Sequence, residues 1–267
     1  MIGFQEEFMK LTLRNTILPA IFSLLVCSCT APNGLSTGPA SDIQPKDEKQ
    51  AVAELTKLGV PLQKDPGGKV RWIEAREGEL NDKALSLLPS LPDLEWLEIG
   101  NGIITPDGVK NLGQCTSLKR LYVHDINLKG AELEWLSSLD KLAALSLQRT
   151  KINGKFLTHL NAVDSLKVLN LSGDSIADDD MARIARFKNL EVLALEDTEI
   201  TGSGINELEG MARLNELNIE NCAIGDNDLS VFMSMPNLRI VYAEGCSLSD
   251  FAIGNIIARF PELAIFR

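Results

Sequence analysis

Acid–base chemistry has one candidate in this chain. His124 stands beside Asp125, with Tyr122 two residues earlier, and a histidine next to a carboxylate is the pairing that moves protons near neutral pH. No nucleophile accompanies it in a matching pattern, and successive residues of a strand face opposite ways. His124 therefore reads as a binding residue and not a catalytic one. His159, the second of two histidines, falls among helical spacings and reads as surface. Carboxylates form the other series: Glu196, Glu220 and Glu244 recur 24 residues apart. Stacked in register they repel one another unless a cation lies among them. Calcium needs more oxygens, to which Asp197 and Asn221 would add; a solvated acidic face needs no metal. No glycine-rich phosphate loop, CxxC pair or GxSxG elbow occurs. The sequence predicts no catalytic residues, no metal, no cofactor and no enzymatic activity.

The interval of 24 is not confined to glutamates. LEVLALEDTEI (Leu190–Ile200) is followed by LNELNIENCAI (Leu214–Ile224), with the apolar letters in the same places. Leu94, Leu118, Leu142, Leu166, Leu190, Leu214 and Leu238 set position zero, and Val70 extends the series backwards. Apolar residues recur three, five and ten positions later, as Leu97, Ile99 and Ile104 or as Leu217, Ile219 and Ile224. An interval of two buries alternate residues of a strand. Pairs fifteen and eighteen after zero, such as Leu157 with Leu160 and Leu229 with Phe232, bury one face of a helical turn. Between them ITPDGV, IADDDM and IGDNDL supply capping and turn residues. Eight such units run from Val70, and Leu263 with Phe266 opens a ninth. One strand and one short helix per unit predict an α/β solenoid.

The pattern resembles the leucine-rich repeat family, LxxLxLxx(N/T/C)xL, over Val70 to Arg267. It is similar in particular to bacterial repeats of the TxITDxGLxxL kind, seen at Thr150-Lys151-Ile152 and at Thr198-Glu199-Ile200-Thr201-Gly202. The resemblance implies a right-handed horseshoe with a parallel sheet on its concave side and short helices on its convex side. At the family's inward polar position, eight after zero, stand Gly78, Gly102, Ile126, Thr150, Asp174, Thr198, Cys222 and Cys246. Glycine and isoleucine bond nothing there, so this ladder is expected to be weaker in the first three repeats. Cys222 and Cys246 fall in adjacent rungs, close enough for a bridge, and are expected as free buried thiols.

Ahead of the repeats, residues 1–28 read as a signal peptide, with Met9 as an alternative start because Glu6 and Glu7 suit such a leader poorly. Lys10 and Arg14 precede the apolar stretch Ile17–Val26, too short to span a membrane. Val26-Cys27-Ser28-Cys29 resembles a bacterial lipobox, which implies lipidation of Cys29; an ordinary secretory cleavage nearby is the other reading. Thr30 lacks the aspartate that retains enterobacterial lipoproteins at the inner membrane. The implied location is a bacterial cell envelope, at the outer membrane or surface, with the lipid as the membrane contact. Residues 29–49, rich in Pro, Gly, Ser and charge, form a flexible tether. Residues 50–69 form the cap: an amphipathic helix burying Ala51, Leu55 and Leu58, stopped by Gly59, then two strands about Asp65-Pro66-Gly67-Gly68.

Side chains two, four and six after zero face out from the sheet. They include Trp72, Trp96 and Arg120, then Glu74, Glu98 and Tyr122, then Arg76, Gly100 and His124. The first half of this surface is aromatic and partly basic, and the second is acidic. Trp72, Trp96, Arg120, Tyr122, His124 and Arg149 are the expected partner-binding residues, and Glu196, Glu220 and Glu244 a secondary acidic face. With net charge −11 and pI about 4.8 the chain repels phosphate backbones, so no nucleic acid is expected. A protein or peptide is the expected partner; a glycan stacked on the aromatics is the alternative.

Overall fold

The structure, a computed structural model, describes residues 47–129, 133–162 and 164–267. The expected leader, lipobox and most of the tether lie outside the described residues. Among those described, no helix is long and apolar enough to cross a membrane.

Asp47 opens the first helix, α1 (Glu48–Lys57), by accepting the Gln50 N–H at 2.8 Å, and Gly59 ends the turn at φ 79°. α1 buries Ala51 and Leu55, with Leu58 packed against the core. Strand β1 (Leu62–Lys64) pairs antiparallel with β2 (Val70–Ala75). The remaining strands are β3 (Trp96–Gly100), β4 (Arg120–His124), β5 (Ala144–Ser146), β6 (Val168–Asn170), β7 (Val192–Ala194), β8 (Glu216–Asn218), β9 (Ile240–Tyr242) and β10 (Ala264–Phe266). They form one sheet in sequence order, parallel from β2 onwards. Register follows the repeat throughout: Ile73 faces Leu97 and Val241 faces Ile265. The inward residues Leu97, Leu121, Leu145, Leu169, Leu193 and Leu217 are fully buried.

Seven after zero the chain must turn out of the strand. Asn101, Asp125, Arg149, Asp197 and Asn221 hold φ between 52° and 58°, and Gly173 and Gly245 hold 72° and 76°. Asn, Asp and Gly are the residues that tolerate this left-handed region. The polar ladder one residue on starts where expected. Thr150 and Thr198 hydroxyls donate to the Leu147 and Leu195 carbonyls at 2.8 and 2.6 Å. The Cys222 and Cys246 thiols are free and donate to the Leu195 and Ile219 carbonyls, each at 3.1 Å.

The convex side is not uniformly α-helical. Helices α2 (Asp82–Leu87), α3 (Asp178–Ile184), α4 (Gly202–Asn206) and α5 (Asp250–Arg259) are α, whereas Gly108–Gln114, Glu134–Ser138, Gly154–Ala162 and Asp226–Ser234 are 3₁₀. An i, i+3 pair suits three residues per turn as well as 3.6. Aspartates tie these elements together: Asp82, Asp178 and Asp226 each accept the N–H and hydroxyl of Thr105, Thr201 and Ser249 in the next repeat, at 2.6 to 2.9 Å. One assignment in the ninth unit changes. Ile265, not Phe266, is in register with the inward Val241. Phe266 is in register with outward Tyr242 and stacks on it, centroids 5.4 Å apart at 22°.

Candidate functional site

β3 and β4 are five residues long where β5 to β9 are three, so the ladder here carries the outward columns two, four and six residues after zero. Trp72 is in register with Trp96, and Trp96 with Arg120. The Arg120 guanidinium stands over the Trp96 indole at 5.4 Å, a cation–π contact. Tyr122 meets the same indole edge-on, centroids 5.9 Å apart at 63°. Within the full chain Trp96 is 8% exposed, while Trp72, in register with Gln63 of β1, is half-buried. Burial pushes the Tyr122 hydroxyl up to about 12, so it stays protonated.

A chain of charges runs beside this cluster. Arg76 grips both oxygens of Glu98, from Nε at 2.7 Å and Nη2 at 2.8 Å. Glu98 Oε1 lies 3.6 Å from His124 Nε2. His124 Nδ1 is 3.1 Å from Asp125 Oδ2, and Arg149 closes on Asp125 through Nε and Nη2 at 2.6 and 2.8 Å. The left-handed backbone of Asp125, φ 58°, swings its carboxylate back to His124. The expectation that strand alternation separates these two neighbours is thereby corrected: the strand ends at His124. Gly100 makes room, because a Cβ there would lie 2.2 Å from His124 Cε1.

The electrostatics are coherent. Burial pushes the Glu98 carboxyl up, but His124 and Arg76 outweigh it and hold it below the ordinary value. Glu98, opposed by burial and helped by Asp125, holds the His124 proton above the ordinary histidine range. Arg149, again against burial, lowers Asp125. The five groups alternate in sign from Arg76 to Arg149, a charge-paired frame with no leaving group or nucleophile aimed at a common point.

Arg120, Tyr122 and Trp96 are thus in direct contact, and His124 and Arg149 are joined through Asp125. The acidic side chains lie close enough in successive repeats to repel one another, Glu196 with Glu220 and Glu220 with Glu244. Burial, with Glu220 and Asp197 adding to it, pushes Glu196 up to about 7. Burial also raises Glu220, less the Asn218 hydrogen bond at 3.0 Å. Among the described residues no group of three or more His, Cys, Asp or Glu is placed to hold a metal ion. Sequence reasoning missed Arg76, Glu98, Gly100 and Asp125 as parts of one network. A signal existed for Arg149: among the seven left-handed residues at this position, from Asn101 to Gly245, it is the one long side chain, the others being Asn, Asp and Gly.

No family model and no curated protein matches the chain. Solved structures do. An internalin C2 (inlC2) from Listeria monocytogenes superposes with a TM-score of 0.59 at 21% identity, covering 82% of this chain and 92% of that one. An internalin (inlF) from the same organism gives a TM-score of 0.53 at 18% identity, covering 72% of this chain. The fold is a leucine-rich repeat solenoid. At these identities the likeness establishes the leucine-rich repeat fold alone, and the chain spans 57% of the inlF internalin's length.

Proposed function

We propose that the concave face of this leucine-rich repeat binds a protein or peptide partner, in a bacterial cell envelope, with the chain anchored by a lipid on Cys29. The observation that carries the reading is the Trp96–Arg120–Tyr122 cluster braced by the charge frame from Arg76 to Arg149. Repeats alone need only the inward leucines. Aromatic and arginine side chains clustered outward on the first strands, in positions the repeat does not fix, match the composition of interface anchors. The superposition on internalins supports a recognition surface on this architecture. The frame stabilises charge already present and offers no reacting geometry, which supports a binding role over an enzymatic one.

The test pairs the purified full chain in detergent with envelope extract and, separately, with a glycan array. A protein captured by the wild type should be lost with Trp96→Ala, at a cost of about 2 kcal/mol in affinity, and retained with Lys155→Ala on the convex side. Binding to glycans with no captured protein would make the aromatics a sugar platform and sink the proposal. Cys29→Ala should release the chain from membranes; unchanged fractionation overturns the anchor.

A further inference from the structure

Three carboxylates stand in successive rungs on the second half of the concave side. Gly173 N–H donates to the Glu196 carbonyl at 2.8 Å, Asp197 N–H to the Glu220 carbonyl at 3.0 Å and Asn221 N–H to the Glu244 carbonyl at 2.7 Å. The backbone ladder thus continues past the ends of β6, β7 and β8, and Ser172, Glu196, Glu220 and Glu244 are neighbours in one column. Leu171, Leu195, Ile219 and Ala243, just before them, are fully buried inward, which turns the column outward. Among the described residues none of the three glutamates makes an ion pair. Burial first, then Glu220 and Asp197, hold Glu196 at about 7 against the pull of Arg149. Glu220 is raised by burial and by Glu244 and Asp197, with its Asn218 bond opposing. Like charges facing one another across rungs about 4.8 Å apart cost stability unless a cation lies along them.

A like-charge column is ordinary on a solvated surface, but this one ends on Ser172. That residue is 2% exposed, and its Oγ has no hydrogen-bond partner among the described residues. A buried hydroxyl that bonds nothing is costly and rare. It stands one rung from Glu196 and faces the same way. A hydroxyl oxygen beside a carboxylate suits a cation rich in donors, such as an ammonium with three N–H groups.

We propose that the column from Ser172 to Glu244 binds a linear aliphatic polyamine, laid across the strands with one ammonium against each carboxylate. The first ammonium also donates to Ser172 Oγ. Rungs recur at about 4.8 Å, and ammonium groups separated by three or four methylenes lie about 5 to 6 Å apart at ordinary bond lengths. Three positive charges then meet three negative ones. A compact metal ion suits the column less well, because among the described residues no three such ligands are placed around one point. Lysines of an extended peptide also fit less well, since side chains on one face recur at about 6.8 Å. No residue of the Trp96–Arg120–Tyr122 cluster takes part, so polyamine binding does not depend on the protein partner.

Isothermal titration calorimetry of the full chain in detergent, with spermidine at about 0.15 M salt, decides the matter. One equivalent should bind with a dissociation constant on the order of 50 μM. Glu220→Gln, which keeps an oxygen for Asn218, should weaken binding about tenfold. Ser172→Ala should weaken it about fivefold without lowering the melting temperature, because the hydroxyl it removes bonds nothing in the free chain. Removing two exposed convex charges with Glu207→Gln and Glu209→Gln, or changing the partner cluster with Trp96→Ala, should leave affinity within about twofold. With one ammonium fewer, 1,4-diaminobutane should bind about tenfold more weakly. Equal loss in the convex double variant would mean adventitious attraction to an acidic chain and overturns the proposal. So does affinity indifferent to Glu220→Gln or Ser172→Ala, or trilysine binding more tightly than spermidine.

Discussion

Arg149 occupies a backbone position suited to Asn or Gly, and the structure shows what holds it there. Its φ of 53° costs a long side chain on the order of 1 kcal/mol relative to those residues. Two short hydrogen bonds to Asp125 offset that cost, and the side chain lies so near Gly173 that a Cβ there would sit 2.6 Å from Arg149 Cγ. If the proposed function holds, this strained residue, the far anchor of the charge frame, serves recognition more than stability. Arg149→Asn relieves the backbone and loses a half-exposed ion pair worth no more than about 1 kcal/mol. The expected outcome is a melting temperature within about 2 °C of wild type and partner affinity about tenfold lower. A melting temperature lower by about 6 °C or more would make Arg149 a structural clamp instead.

At the scale of the repeat, the inward polar ladder holds the anomaly. Asp174 is 4% exposed and accepts the Thr150 N–H at 2.8 Å. Burial pushes its carboxyl up to about 7, against hydrogen bonds from the Thr150, Lys151 and Ile152 backbone that favour the ionised form. A carboxyl raised on folding contributes stability while protonated, and that contribution is lost as pH climbs from the ordinary carboxylate range through about 7. Asp174→Asn keeps an acceptor for Thr150 and removes the charge. Thermal melts should show the variant about 5 °C more stable than wild type at pH 8 and nearly equal at pH 4. A variant less stable at pH 8 would mean the carboxylate is fully satisfied as an ion. The ladder was legible as a column of letters, but which of its rungs bears a proton was not, because burial depth is a property of the stack.

Across the whole molecule, what repeats was readable and what does not repeat was only partly so. The 24-residue interval fixed strand order, register and the buried leucines, since each is set by a neighbour at constant sequence distance. The choice between α and 3₁₀ on the convex side was not readable, because the same spacing serves both. Phe266 was misassigned because Leu263 falls one residue after the 24-residue interval from Leu238, whereas Ile265 lies 24 residues after Val241 and keeps the inward phase. The outward columns placed Trp96, Arg120 and Tyr122 together correctly by register, yet Glu98 looked like one more surface acid until Arg76 and His124 were seen to close on it. The central claim is that partners engage the concave face at this cluster. A photo-crosslinking amino acid at Tyr122, compared with one at Lys155 on the convex side, tests it in living cells. One discrete protein adduct should form from position 122 and disappear with Arg120→Ala, and none should form from position 155. Equal adducts from both positions, or adducts from 155 alone, would contradict it.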